Sequence, residues 1–496
     1  MTEKRIPPAN SRDTRRRTAS RREFFSRISD GLHGAGLAYL LGADLFTANP
    51  ALAFPAAPRA FDLSPKPPHF EPKAKAVIQL FMHGGPSQID LFDPKPDLAR
   101  HVGKTPSRDL TAVAVSPQQN AGILPSPYRF SKHGESGMEF SELLPRIAEC
   151  ADDIAMVRSM FTESQNHETA LNMIHSGRLL GSRPTIGSWV AYGLGTENQN
   201  LPAYVVLDDP KGMPIGGISN WKAAWLPPIC QGTRFRAQGS PVLNLEPRPE
   251  WPAPVLEVER RLLRRLDRSH MEQRPHESDL AARISSYELA ARMQLAASDA
   301  LDLGQEDEET RRMYGLDAAL TESYGRRCLM ARRLVERGVR FVQIYIEDQI
   351  WDTHTKLDEG LRYSCGKTDG PSAALIRDLK RRGLLDETLV IWGGEFGRLP
   401  LGQGDANDRG SLGRDHGPNG FTLLMAGGGV KGGTVHGGTD ELSNHAVDSP
   451  VSVHDFHATV LSLLGMNFRD LVFRRHGLDE RLTDQFPARV VEDLIA

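Results

Sequence analysis

Histidine and carboxylate side chains recur in this sequence at one kind of place, directly beyond short and continuously apolar runs. The run at 75–82 ends in His83, with Asp90 and Asp93 close behind. The run at 340–346 leads into Glu347, Asp348, Asp352 and His354. The run at 388–392 is followed by Glu395, and His416 stands shortly before the run at 421–426, within Arg414-Asp415-His416. Imidazole and carboxylate together suit zinc, manganese or iron, whereas carboxylate alone suits magnesium or calcium. A single residue of this kind is ordinarily a cap or a loop residue with a partner of its own. Several at the ends of separate strands of one sheet would be gathered by folding, and a divalent-metal site is the chemistry that then results.

Three other signals were weighed beside these. The segment 162–178 carries Thr162, Ser164, Asn166, His167 and Thr169 where a helix should start. Free N–H groups at a helix N-terminus favour an anion or a nucleophile; the plain alternative is a capped helix with Ser164 or Asn166 at its start. Residues 427–432 match G-x-G-x-x-G after a strand, but no helix signal follows, and a tight glycine turn is the better reading. His454 and His457 stand one helical turn apart, where they read as packing at a helix start rather than as metal ligands.

The elements that must position these groups follow from periodicity. Apolar runs at 75–82, 154–157, 203–207, 340–346, 388–392 and 421–426 have strand length and read as strands buried on both faces, as in parallel sheets. Helical patterns cover 277–303, 322–337, 371–382 and 452–464. Strand–helix alternation over this length implies a doubly wound α/β sheet, with its ligand site at the carboxyl ends of the strands.

Ahead of this lies an export signal. Arg21-Arg22 precedes a weakly apolar stretch at 31–47, and Ala51-Leu52-Ala53 offers a small-residue cleavage site. Residues 1–53 thus read as a twin-arginine signal peptide and 54–74 as a Pro-rich linker. Residues 75–496 read as the working domain, with a helical insertion around 250–320. The expected location is the periplasm or another extracytoplasmic space, with the twin-arginine export machinery as a partner. A net charge of −3 argues against nucleic acid, and no stable membrane span is expected after processing. The four cysteines, Cys150, Cys230, Cys328 and Cys365, form no C-x-x-C pair.

Several blocks carry a family resemblance. They are the arginine pair, His83-Gly-Gly-Pro-Ser-Gln-Ile-Asp90, Tyr287-Glu-Leu-Ala with Arg292-Met-Gln, and the stretch 328–343. Trp351-Asp-Thr-His354, Gly394-Glu-Phe-Gly-Arg398, Arg414-Asp-His416 and the stretch 450–459 complete the set. Together they resemble the exported, sulfatase-like family catalogued as domain of unknown function 1501, over nearly the whole mature chain. More distantly the chain resembles the alkaline phosphatase superfamily, which implies a three-layer α/β/α doubly wound fold of the alkaline phosphatase/sulfatase kind. By that resemblance His83 takes the place of a metal-binding Asp, with Asp90 and Asp93 as alternatives, and Asp352, His354, Glu395 and His416 complete the metal set. Phe396 stands where the superfamily has an imidazole. The nucleophile position falls near Asn166 or His167. Arg398 or Arg414 would neutralise the anion through bidentate contacts. No cysteine opens a C-x-P-x-R motif, so the formylglycine of ordinary sulfatases is not expected.

The expectation is an exported hydrolase of phosphate or sulfate esters, on a small molecule or polysaccharide. It would depend on a divalent metal: zinc, manganese, iron, calcium or magnesium. The alternative is a non-catalytic binding or scaffold protein for sulfated or phosphorylated polymers on the same fold. The export assignment is tested by changing Arg21 and Arg22 together to lysine. Because the receptor reads the pair and not charge alone, precursor should accumulate in the cytoplasm, and the mature N-terminus of the unaltered protein should lie near Phe54 by mass spectrometry. Undiminished export of the lysine variant would contradict it.

Overall fold

The run Ala-Val-Ile-Gln-Leu-Phe is buried along its whole length and forms β1 (Ala76–Phe81). The computed structural model describes residues 63–104, 106–116, 120–236, 253–274 and 278–496. The export signal at 1–53 and the first part of the linker lie outside the described residues. The chain divides into two units. One comprises Met1–Arg59 and Arg248–Pro275, and its described part is a helix, Ala253–Gln273. The other, Ala60–Pro247 with His276–Ala496, holds everything that follows.

The strands used below are β1, β2 (Asn120–Ile123), β3 (Ile154–Phe161), β4 (Tyr204–Leu207), β5 (Thr233–Phe235), β6 (Phe341–Tyr345), β7 (Thr388–Gly393), β8 (Gly397–Gln403), β9 (Gly413–Gly417), β10 (Phe421–Ala426), β11 (Thr434–His436) and β12 (Val451–Ser452). The helices are α1 (His167–Ser176), α2 (Ile186–Leu194), α3 (Ser278–Leu301), α4 (Glu322–Glu336), α5 (Leu357–Arg381) and α6 (Val453–Leu463). The main sheet has nine strands in the order β11-β3-β10-β7-β1-β6-β4-β5, with β12 also paired to β3. All its pairings are parallel except those of β10, which runs against both β3 and β7. The sheet is therefore mixed, where the apolar runs alone read as parallel. An apolar run carries no direction; β7 and β10 are joined through β8 and β9 with no crossover α-helix, which a parallel pair would need.

Side chains alternate across the sheet, and each face has its own core. Ile78, Leu80, Ile344 and Trp392 pack with Leu329 and Leu334 of α4, Leu375 of α5 and Met293 of α3. Val77, Phe81, Tyr345 and Ile391 pack with Leu171 and Ile174 of α1, Trp189 of α2 and Leu461 of α6. This is a three-layer α/β/α arrangement. Residues 63–74, the latter part of the Pro-rich stretch, lie against it: Lys66 N–H donates to Leu194 O, and Lys73 and Ala74 donate to Leu463 O. The α5 helix begins fourteen residues before Pro371, where the sequence pattern began, and continues through that proline. All four cysteines are buried free thiols, and burial pushes Cys150, Cys230 and Cys328 up to about 12. Among the described residues no helix is long and apolar enough to cross a membrane.

Strand register decides what meets at the carboxyl edge. Phe81 of β1 lies opposite Gly393 of β7 and Tyr345 of β6. The residues two places further on, His83, Glu395 and Glu347, therefore leave the sheet at one level. Glu347 fastens the loop beyond β6 to α5: Lys367 donates to it at 2.5 Å, Tyr363 at 2.5 Å, and Lys211 lies 2.7 Å away. Burial would raise its pKa, but these three donors hold it down to about 2, against an ordinary 4.5. A depressed folded pKa stabilises the native state above the unfolded value and ceases to do so as pH falls through the folded one. Glu347→Gln should therefore cost about 1–3 kcal/mol at neutral pH. The gap to the unaltered protein should close between pH 4.5 and 2 in urea unfolding, and a gap independent of pH would contradict this.

Candidate functional site

Glu395 follows β7 and is fully buried, so its charge must be met inside the protein. The N–H of Gly84 donates to it at 3.0 and 3.3 Å, and Nδ1 of His167 lies 2.6 Å from Oε1. Nε2 of His83 stands 4.0 Å from the same oxygen. Burial alone would raise the pKa of Glu395, but the hydrogen bond from His167 and the nearby imidazoles keep it below the ordinary value. For His83 burial dominates and lowers the pKa, so the ring is neutral. Neither of its nitrogens has a hydrogen-bond partner, although the ring is fully buried.

Asp352, beyond β6, is the second carboxylate. Its Oδ1 lies 3.0 Å from Nε2 of His354, 3.1 Å from Nε2 of His416 and 2.6 Å from the guanidinium of Arg398. Its Oδ2 stands 3.4 Å from Nε2 of His167. Burial opposes its ionisation, but contacts with His167, His354, His416 and Arg398 hold it far below the usual carboxylate range. His167 sits between the two acids. Burial disfavours its charge, yet the facing carboxylates of Asp352 and Glu395 outweigh that and lift it to about 9. His416 belongs to β9 and donates through Nδ1 to Gln165 O, 2.6 Å away; burial lowers its pKa. His354 is the most open of the group, and its Nδ1 is oriented by Gln403 of β8 at 2.5 Å.

Two sets of donors are close enough to share an ion: His83, His167 and Glu395, and His167, Asp352 and His416. The fit to a divalent metal rests on the orphaned nitrogens. A neutral, dry imidazole without a partner beside a carboxylate is costly unless something occupies the space between them. His83, Asp352, His354, Glu395 and His416 of the expected metal set thus converge, and His167 joins them.

The remaining candidates are elsewhere or otherwise engaged. Asp90 is buried in a bidentate pair with Arg414 at 2.7 and 3.0 Å and accepts from Ser87, so it is held away from the metal group. Arg414 is for the same reason no anion binder. Arg398 is fully buried too: it donates to Gly85 O, Arg414 O and Trp351 O, to Gly84 O and to Asp352, and so ties together the loops beyond β1 and β6. Asn166 is the N-cap of α1, accepting from the N–H groups of Glu168 and Thr169. The free N–H groups that would have held an anion are therefore partly taken. Ser164 and Thr169 hydroxyls bond each other. Asp93 accepts from Ser443 and pairs with Lys95. His454 and His457 meet Gly177 O and Ile174 O at the end of α1, the packing role expected of them. The glycines at 427–429 take positive φ in a tight turn. Sequence reasoning missed Gln403, which lies inside a strand with no local signal, and the buried positions of the two arginines, whose partners are remote in sequence.

The fold and this edge of imidazoles and carboxylates define a three-layer α/β protein with a candidate metal centre. The chain belongs to the family described as protein of unknown function (DUF1501), whose model matches residues 74–495. No curated protein matches the sequence. Similar solved structures include the phosphonate monoester hydrolase SpPMH from Silicibacter pomeroyi, 13% identical with a TM-score of 0.30 over 65% of this chain and 68% of that one. The PsFucS1 sulfatase from Pseudoalteromonas sp. is 13% identical with a TM-score of 0.33 over 79% and 68%. Alkaline phosphatase from the Antarctic bacterium TAB5 is 13% identical with a TM-score of 0.30 over 72% and 92%.

Close approach of the β1 and β6 loops depends on Gly84. It has φ +115°, and a Cβ there would stand 2.6 Å from Asp352 N. Gly84→Ala should therefore lower stability by more than the about 1–3 kcal/mol of backbone strain alone, and should lower bound metal as well. Gly103→Ala is the control, at φ +77° with open space around it; it should show the strain without the loss of metal. Equal metal content in the two variants would contradict the placement.

Proposed function

We propose that this protein is an exported, metal-dependent hydrolase of a phosphate or sulfate ester. The observation that supports it is the convergence of His83, His167, Glu395, Asp352 and His416 at one sheet edge, with the buried His83 nitrogens otherwise unpartnered. Three imidazoles, His83, His167 and His416, with two carboxylates favour zinc, manganese or iron over calcium or magnesium. When bound, such an ion would polarise the ester and lower the pKa of a nearby water.

The chain's own residues divide the remaining work. Glu395 and His83 supply the dry side of the site, sealed by Phe396, whose ring centroid is 4.8 Å from that of His167 and 4.6 Å from that of His416. Arg398 keeps Asp352 ionised and its Oδ1 fixed. His354 is the group with access to solvent, oriented by Gln403, and its Nε2 is placed to hand a proton to a leaving oxygen or take one from water. The Ser164 and Thr169 hydroxyls bond each other and the Thr162 hydroxyl is enclosed without a partner, so this reading takes water as the nucleophile.

The second reading is a protein that binds a sulfated or phosphorylated polymer without cleaving it. It is favoured by the engaged state of Arg398 and Arg414. Metal-loaded protein assayed against aryl phosphate, phosphonate and sulfate esters separates the two. Turnover should be present and should fall by at least about 10²-fold in Asp352→Asn. Binding of phosphate or sulfate with no turnover of any ester would overturn the hydrolase and leave the binding protein.

A further inference from the structure

Among the described residues, one side chain belongs to both donor sets, His167. An imidazole presents two nitrogens on different edges of its ring, and each can ligate a metal once it carries no proton. Here Nδ1 faces Glu395 Oε1 at 2.6 Å, while Nε2 faces Asp352 Oδ2 at 3.4 Å and has no hydrogen-bond partner although it is buried. The ring is held edge-on to His83, centroids 6.0 Å apart, and to His416, centroids 4.4 Å apart. Its backbone is fixed as the first residue of α1, behind the Asn166 cap.

We propose that His167 bridges two divalent ions. One is held with His83 and Glu395, the other with Asp352 and His416, and the ring gives up both N-bound protons to solvent as the ions bind. This rests on the reading above that the cluster holds metal.

A single ion fits the structure less well. Placed with Asp352 and His416, it leaves both nitrogens of His83 buried and unpartnered beside Glu395. Placed with His83 and Glu395, it leaves Nε2 of His167 dry and unpartnered opposite Asp352. Each orphan is resolved only by its own ion, and a shared imidazole is the element the two sets have in common.

The full chain, stripped with a chelator, is titrated with copper(II) as the probe ion and followed by electron paramagnetic resonance at low temperature, with zinc stoichiometry measured in parallel by calorimetry. Two equivalents of each ion should bind. The copper signal should be largely lost in the doubly loaded protein, because the two spins couple through the ring. His167→Ala should bind either one equivalent or two with the undiminished signal of isolated ions. Should that variant fail to fold, the measurement on the unaltered chain decides alone. Saturation at one equivalent, or two equivalents with a full signal, would overturn the bridge and leave the metal reading standing. Failure to bind either ion would overturn both.

Discussion

A carboxylate sealed from water at Glu395 is the constraint to which the surrounding structure answers. A buried charge is tolerated only when it is paired and hydrogen-bonded. The donors come from two places, the Gly84 N–H beyond β1 and the His167 ring at the head of α1, while the His83 ring stands 4.0 Å off without a hydrogen bond. Each of these is set by the sheet. The register that puts Phe81 opposite Gly393 brings Gly84 to Glu395, and β3 delivers α1 to the same edge. Asp352 repeats the pattern two strands away, with Arg398 as its fixed counter-charge and His354 and His416 as partners. The two carboxylates differ in exposure, and this gives the site a dry side and an open side.

The buried arginines show how charge is used beside the imidazole cluster. Arg398 and Arg414 look, in sequence, like anion-binding groups beside a metal site. In the folded protein both are fully enclosed. Arg398 satisfies four backbone carbonyls and one carboxylate, so its charge fixes loops rather than a substrate. Arg414 and Asp90 neutralise each other. Groups spent in this way keep the ligand-bearing loops rigid, which a preorganised centre requires.

Much of this was legible before the fold was known, for a physical reason. Strands buried on both faces advertise themselves as apolar runs, and in α/β sheets chemistry collects where those runs end. His83, Asp352 and Glu395 stand beyond such runs, His416 stands just before one, and the cap at Asn166 is suggested by its residue type at a helix start. Direction, pairing and exposure were not legible. Nothing in the run at 421–426 says that it lies antiparallel, and nothing local to Arg414 says that its partner is Asp90, 324 positions away. Proline at 371 marks a helix start when read alone, yet α5 begins earlier and carries Lys367, the buried partner of Glu347. The resemblance puts His167, at a helix head, near the nucleophile position. Only the side-chain geometry puts it between two acids.

The central claim is that these imidazoles and carboxylates form one metal centre. X-ray absorption on the zinc- or manganese-loaded protein tests it most directly, because it reads the ligand atoms without reference to any reaction. The account predicts a first shell of nitrogen and oxygen only, with the multiple-scattering signature of several imidazoles, and its weakening in His83→Ala. A sulfur-containing shell, or an oxygen shell without imidazole scattering, would contradict it.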